Sequence, residues 1–190
     1  MPSTYCGGGR GLRPQLSTCP TGDGMGTLAA PLLAGGQPKE FGRKVKVYSG
    51  QAAATIEATV TREGEPTLSA ELAKKLTGAD RYAWDEKITV QLTPNELIQF
   101  NRVLLGYAEV FACEYHGEQR NKSLRLLRLP SEDGWMLGAN QPSRSIQVPL
   151  KGADLFNVSA LALSRLADQW PQLGVGGIVA ILRQIPPQKA

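Results

Sequence analysis

Lys87-Ile88-Thr89-Val90-Gln91-Leu92-Thr93-Pro94-Asn95-Glu96 turns a strand into a helix within one short stretch of chain. Ile88, Val90 and Leu92 alternate with Lys87, Thr89 and Gln91, the period of a half-buried strand. Thr93 then offers a side-chain oxygen to the first free amides of a helix, and Pro94 suits the first helical position. Glu96 reaches back to the Thr93 amide and completes a capping box. Leu97, Phe100 and Leu104 share one helical face, and Gly106 ends the helix.

Upstream, the folded part begins near Phe41. Lys44-Val45-Lys46-Val47-Tyr48 alternates as a strand, and Ser49-Gly50 marks a bend. Ala54, Ile56, Ala58 and Val60 form one face of a second, longer strand, with Thr55, Glu57, Thr59 and Thr61 on the other. Glu63-Gly64-Glu65-Pro66 is a turn, Thr67 to Leu72 a third strand, and Lys74 to Asp80 a polar loop. Downstream the pattern repeats, with strands over Glu109–Tyr115, Ser123–Leu129, Trp135–Gly138 and Ser145–Leu150. A second helix carries Asp154 in its first turn and a face of Phe156, Ala160, Leu163, Ala167 and Trp170, and Trp170-Pro171 ends it. The chain reads as two successive units of four strands and a helix, an α+β fold of the form ββββα-ββββα, with no repeat at the level of residue identity.

Bulk composition agrees with a single soluble domain: 190 residues, of which 42% are hydrophobic, suffice for a core. The longest apolar stretch, Val175 to Leu182, holds glycines and is too short to span a bilayer. The net charge of +4 is unevenly spread. Residues 39–62 hold five positive and two negative side chains, whereas residues 63–86 hold three and six. A basic segment beside an acidic one suits a nucleic-acid surface, and equally a solvated strand face. The cysteines, Cys6, Cys19 and Cys113, are odd in number and unpaired in spacing, which fits a reducing compartment. Residues 1–38, rich in Gly, Pro, Ser and Thr, read as a flexible tail without the pattern of a secretory signal, with Met25 as an alternative start. The domain is expected over residues 41–182, and residues 183–190 as a second tail.

Four segments carry a family resemblance. Val47-Tyr48-Ser49-Gly50-Gln51-Ala52-Ala53-Ala54 is similar to a strand motif in which tyrosine is followed by Lys-Gly-Lys-Ala-Ala-Leu. Tyr82-Ala83-Trp84-Asp85-Glu86-Lys87 resembles a Tyr-Asp-Trp segment leading into a fourth strand. Cys113-Glu114-Tyr115-His116 is similar to Cys-Glu-Phe-Phe-His, and Ser145-Ile146-Gln147-Val148-Pro149-Leu150 to Ser-Ile-Tyr-Ile-Pro-Ile. In this order, along most of residues 45–180, they resemble the Whirly family of single-stranded-DNA-binding proteins. The resemblance implies two four-stranded antiparallel sheets packed crosswise, with helices that assemble four protomers. It also implies sequence-tolerant binding of single-stranded DNA along sheet edges between protomers.

Such binding needs aromatic faces for unpaired bases and cations for phosphates. Tyr48, Trp84, Tyr115 and Trp135 are the candidate platforms, though for each a place in the core competes with stacking. Lys44, Lys46, Lys87, Lys122, Arg125 and Arg128 are the candidate phosphate contacts, with Gln51 beside them in the first motif. Phe156, Leu163, Trp170, Ile178 and Leu182 are the candidate oligomer contacts, and residues 174–182 either join that interface or cover the protein's own core. Ser49 and Gln51 replace both lysines of the family's Lys-Gly-Lys motif, which is associated with cooperative assembly on long DNA. The basic fold is therefore expected and the larger assembly is not. Loops shorter than those of plant members point to a compact bacterial, plasmid or phage relative, working in the cytoplasm rather than an organelle matrix.

Catalytic and metal chemistry are not expected. Cys113 and His116 are close in sequence, but a structural zinc site needs about four ligands and no second pair is near. His116 is the single histidine, and no motif orients it towards Cys113 or a serine as a catalytic base. Gly7-Gly8-Gly9-Arg10-Gly11 lacks the Gly-Lys-Ser/Thr of a phosphate loop. The expectation is a non-enzymatic oligomer without cofactor that coats single-stranded DNA in replication, recombination, repair or conjugative transfer. The alternatives are an RNA-binding or annealing protein, since a mitochondrial RNA-editing complex shares the fold, and a scaffold that binds protein.

Overall fold

The structure is a computed structural model, described here for residues 42–129 and 134–186; the expected tail over residues 1–38 lies outside them. Strands β1 (Lys44–Tyr48), β2 (Ala52–Val60), β3 (Pro66–Lys74) and β4 (Ile88–Gln91) form one antiparallel sheet in chain order. Helix α1 (Pro94–Leu104) follows, and then β5 (Val110–His116), β6 (Lys122–Leu129), β7 (Gly134–Gln141) and β8 (Arg144–Lys151) form a second such sheet. Helices α2 (Gly152–Gln169) and α3 (Gly174–Gln184) close the described chain. This is the expected α+β class, two four-stranded antiparallel sheets each followed by a helix.

Register decides which side chains meet. Val45, Ile56, Ala70 and Val90 lie side by side across the first sheet, as do Val47, Ala54, Leu72 and Ile88, and together they build one face of the core. The second sheet answers with Phe111, Leu126, Leu137 and Val148 in one row and Cys113, Leu124, Ala139 and Ile146 in the next. Strand β8 packs across β1, β2 and β3, and β4 across β6 and β7, so the two layers cross.

The helices are exchanged between the sheets. α1 packs mainly on β5 and β6 of the second sheet, where Phe100 meets Phe111 edge-on at 5.5 Å and the Val103 carbonyl accepts the Trp135 indole N–H at 2.8 Å. α2 lies along β1, β2 and β3 of the first sheet. Arg165 donates to the Thr59 carbonyl at 3.1 Å and Gln169 to that of Pro66 at 2.6 Å. Asn101 joins the two helices, donating to the Leu97 and Ala162 carbonyls at 2.9 and 3.2 Å.

The capping box forms as read: Thr93 Oγ1 accepts from the Glu96 amide, and Glu96 Oε2 from the Thr93 amide. Two readings of the later chain are corrected. The face of α2 that packs inward is Val158, Leu161, Ala162 and Leu166, whereas Phe156, Ala160 and Trp170 of the expected stripe face outward. Both stripes have helical spacing, and the one with the branched side chains is buried. Ile178 and Leu182 are 4% and 2% exposed on α3, so they cover the protein's own core instead of waiting for another protomer. The chain also stays packed beyond residue 182. Buried Arg102 donates to the carbonyls of Ile185 and Pro186 at 2.7 and 3.0 Å, just past the end of α3.

Candidate nucleic-acid interface

The outer face of the first sheet collects the largest group of expected contacts. Lys44, Lys46 and Tyr48 alternate outward from β1, in register with Glu57, Thr55 and Ala53 of β2. The rows continue through Glu71 and Ser69 of β3 to Thr89 and Gln91 of β4. Two of the cations are already partnered: Lys44 Nζ lies 3.0 Å from Glu57 and Lys87 Nζ 2.7 Å from Glu71. Both pairs are on solvated surface, where such contacts are worth about 1 kcal/mol or less, so a phosphate can compete for either lysine. Lys46 is exposed and has no ion pair among the described residues.

Beside these cations stands a run of aromatic rings. The Tyr48 ring is 5.5 Å from that of Tyr82, and Tyr82 is 6.5 Å from Trp84, with the planes tilted by 42° and 56°. Tyr48 is 56% exposed and Trp84 half-buried. Local chemistry holds the group in place. Tyr82 pairs with Lys75 through backbone, and its hydroxyl donates to the Ser49 carbonyl at 2.9 Å. Ser49 Oγ closes the hairpin onto Ala52, donating to its carbonyl at 2.8 Å and accepting its amide at 3.1 Å. A single 3-10 turn, Trp84–Glu86, carries the tryptophan, and Arg144 of β8 binds the Glu86 backbone carbonyl and, at 3.3 Å, its carboxylate. Tyr82 was not among the expected contacts. Its place two residues before Trp84 in the same Tyr-Ala-Trp segment is the signal that would have found it.

The other expected contacts disperse. Gln51 is exposed in the β1–β2 hairpin, next to a concavity lined by Lys75, Leu76 and Asp80. The Asp80 carboxylate, 2.8 Å from Lys75, hydrogen-bonds that ammonium and raises its pKa, and the same bond lowers its own. Arg125 lies on the outer face of the second sheet, between Ala112 and Gly138. Lys122 lines an open polar cleft of about 690 Å³ with Arg62, Thr89, Gln91, His116 and Gln141. This cleft continues the outer face of β4 towards the β5–β6 turn. Tyr115, 69% exposed, adjoins that turn at a φ of 64°.

Trp135 is corrected. The Trp135 indole is half-buried against the core, its N–H bound to Val103, and is committed to seating α1. Arg128 lies over that ring at 5.8 Å and 3.7 Å from Glu109, at the strand end away from the cleft.

Glu96, Cys113 and His116 converge, with one donor atom of each within 4.8 Å of the others, and of the three His116 lines the cleft. Glu96 Oε1 and His116 Nε2 are 3.0 Å apart. Burial, aided by the Glu96 charge, pushes the Cys113 thiol up to about 12. The sequence shows Cys113 and His116 as neighbours, but Glu96 arrives only through the docking of α1 on β5.

Exposed apolar side chains also gather on and between α2 and α3. Phe156 is 72% exposed and Trp170 48%, and Leu173, Val175 and Ile181 extend the patch. Leu163 is half-buried beside it. An apolar groove of about 260 Å³ runs between Ile98 of α1, Trp170 and Ile181. No described helix is long and apolar enough to cross a membrane.

No family model matches this chain, and no curated protein does. Among solved structures it is similar to one described as "Crystal structures of trypanosoma bruciei MRP1/MRP2", with 15% identity and a TM-score of 0.50 over 71% of this chain and 87% of that one. At that identity the likeness speaks for a related fold alone.

Proposed function

We propose that the domain is a non-enzymatic, sequence-tolerant binder of single-stranded nucleic acid, with single-stranded DNA as its ligand, working as a homo-oligomer of four protomers in a bacterial cytoplasm. The run of Tyr48, Tyr82 and Trp84 rings beside Lys46 carries the reading. Exposed Tyr48 and half-buried Tyr82 and Trp84 next to exposed Lys46 fit unpaired bases with their phosphates, and any base offers a face to stack. The resemblance to the Whirly family and the related fold of the structural neighbour support it. Lys44 and Lys87 would join the contact by exchanging Glu57 and Glu71 for phosphate. The outer face of the first sheet would then lead the strand towards Arg62 and Lys122 in the cleft.

Fluorescence anisotropy with a mixed-sequence oligonucleotide tests this. Binding should weaken as salt rises, because phosphate contacts release counterions. Loss of one stacked base is worth about 1–3 kcal/mol, so Tyr48→Ala and Trp84→Ala should each weaken binding by fivefold or more. Lys46→Ala should lower the salt slope by about 0.7, the share of one single-strand phosphate. An RNA strand of equal length that outcompetes DNA would reassign the ligand to RNA. Absence of binding to either at low salt would remove the proposal and leave a protein scaffold.

A further inference from the structure

The nucleic-acid reading gives no role to the side chains of Glu96, Cys113 and His116, which cluster beside the cleft that His116 lines. We propose that these three side chains form a site for a divalent transition-metal ion of the zinc class, tying the start of α1 to the end of β5 and leaving one coordination position open to the cleft.

The donor set is the first argument. A thiolate, an imidazole nitrogen and a carboxylate oxygen together select zinc-like ions over magnesium or calcium, which take oxygen alone. Their atoms already lie within 4.8 Å of one another. Bonds of about 2.0–2.3 Å in a tetrahedron set donors roughly 3.3–3.7 Å apart, so small side-chain rotations complete the site.

The backbone supplies the second argument. Residues three apart on a regular strand point to opposite faces, so Cys113 in the core would leave His116 outside. The register of β5 against β6 shifts between these two residues, and Tyr115 takes a φ of 64° there. This bulge is what turns His116 back to the Cys113 side. The third argument is the support of the carboxylate. Glu96 Oε2 is held by the Thr93 amide at 2.8 Å, which leaves Oε1 facing His116 at 3.0 Å. Such an outer contact orients a metal ligand. His116 also lines the cleft, which is the side from which an ion and a water as fourth ligand would reach the cluster.

The test uses the full, untagged chain carrying Cys6→Ser and Cys19→Ser, so that tail thiols contribute nothing, stripped by chelator and titrated with cobalt(II). One cobalt per chain should bind, with thiolate-to-cobalt charge transfer in the near ultraviolet and tetrahedral ligand-field bands in the visible, and zinc should displace it. Cys113→Ser should abolish the charge-transfer band. Glu96→Gln, which keeps an oxygen for the helix cap, and His116→Gln should each weaken binding at least tenfold while circular dichroism stays unchanged. Absence of the bands, their persistence in Cys113→Ser, or unchanged affinity in both Glu96→Gln and His116→Gln would overturn the site. Oligonucleotide binding by the stripped protein is a separate readout, so failure of either proposal leaves the other distinguishable.

Discussion

Tyr115 holds a left-handed backbone that a non-glycine side chain adopts at a cost of about 1–2 kcal/mol. Tyr115→Gly would relieve that strain while gaining freedom in the unfolded chain, so stability measured by urea unfolding should stay within about 1 kcal/mol of the parent. Any loss of oligonucleotide affinity in that variant then belongs to the exposed ring. Cys113 makes a prediction in pH. Its ordinary value is 9.0 and burial raises it to about 12, so the unfolded chain releases the thiol proton first. In the chelator-stripped chain the contribution is whole below pH 9 and is lost as pH climbs towards 12, which denaturation at stepped alkaline pH would show. At this scale the sequence was partly legible. Tyr48 and Trp84 could be named from a motif, whereas the partner of His116 could not, because Glu96 already had a local role in the helix cap. A residue that serves two neighbours shows only the nearer one in sequence.

Elements were legible where local chemistry decides them. Thr93, Pro94 and Glu96 mark the start of α1 without reference to the rest of the fold. The buried face of α2 is not legible in sequence, because Phe156-Ala160-Leu163 and Val158-Leu161-Ala162 both have helical spacing, and only the sheet beneath selects one. Helix α3 carries Gly174, Gly176 and Gly177, poor helix formers, and owes its form to burial of Ile178 and Leu182. Arg102 reinforces that docking. Its guanidinium, buried with no carboxylate partner among the described residues, faces Gln99 and the carbonyls past α3, where the helix dipole is negative. Arg102→Met should cost about 1–3 kcal/mol by leaving those carbonyls unsatisfied, and hydrogen exchange should rise first in residues 174–184.

For the molecule as a whole, the order of strands and helices was readable from alternation and turns, because each sheet is a simple meander. The sorting of apolar helix residues into core and outer patch was not, since it depends on how the layers cross. The patch predicts assembly through α2. Phe156→Glu should reduce the mass in solution, measured by light scattering, with unchanged helicity, whereas Ile178→Glu should unfold the chain. The exchange of helices has a consequence for synthesis. A ribosome releases β1 to β4 well before β8 and α2, so much of the first sheet's apolar face stays uncovered until those later elements arrive. A gene split between Gly106 and Glu109 would separate each sheet from the helix that covers it. The two fragments should precipitate when expressed alone and rescue one another when expressed together.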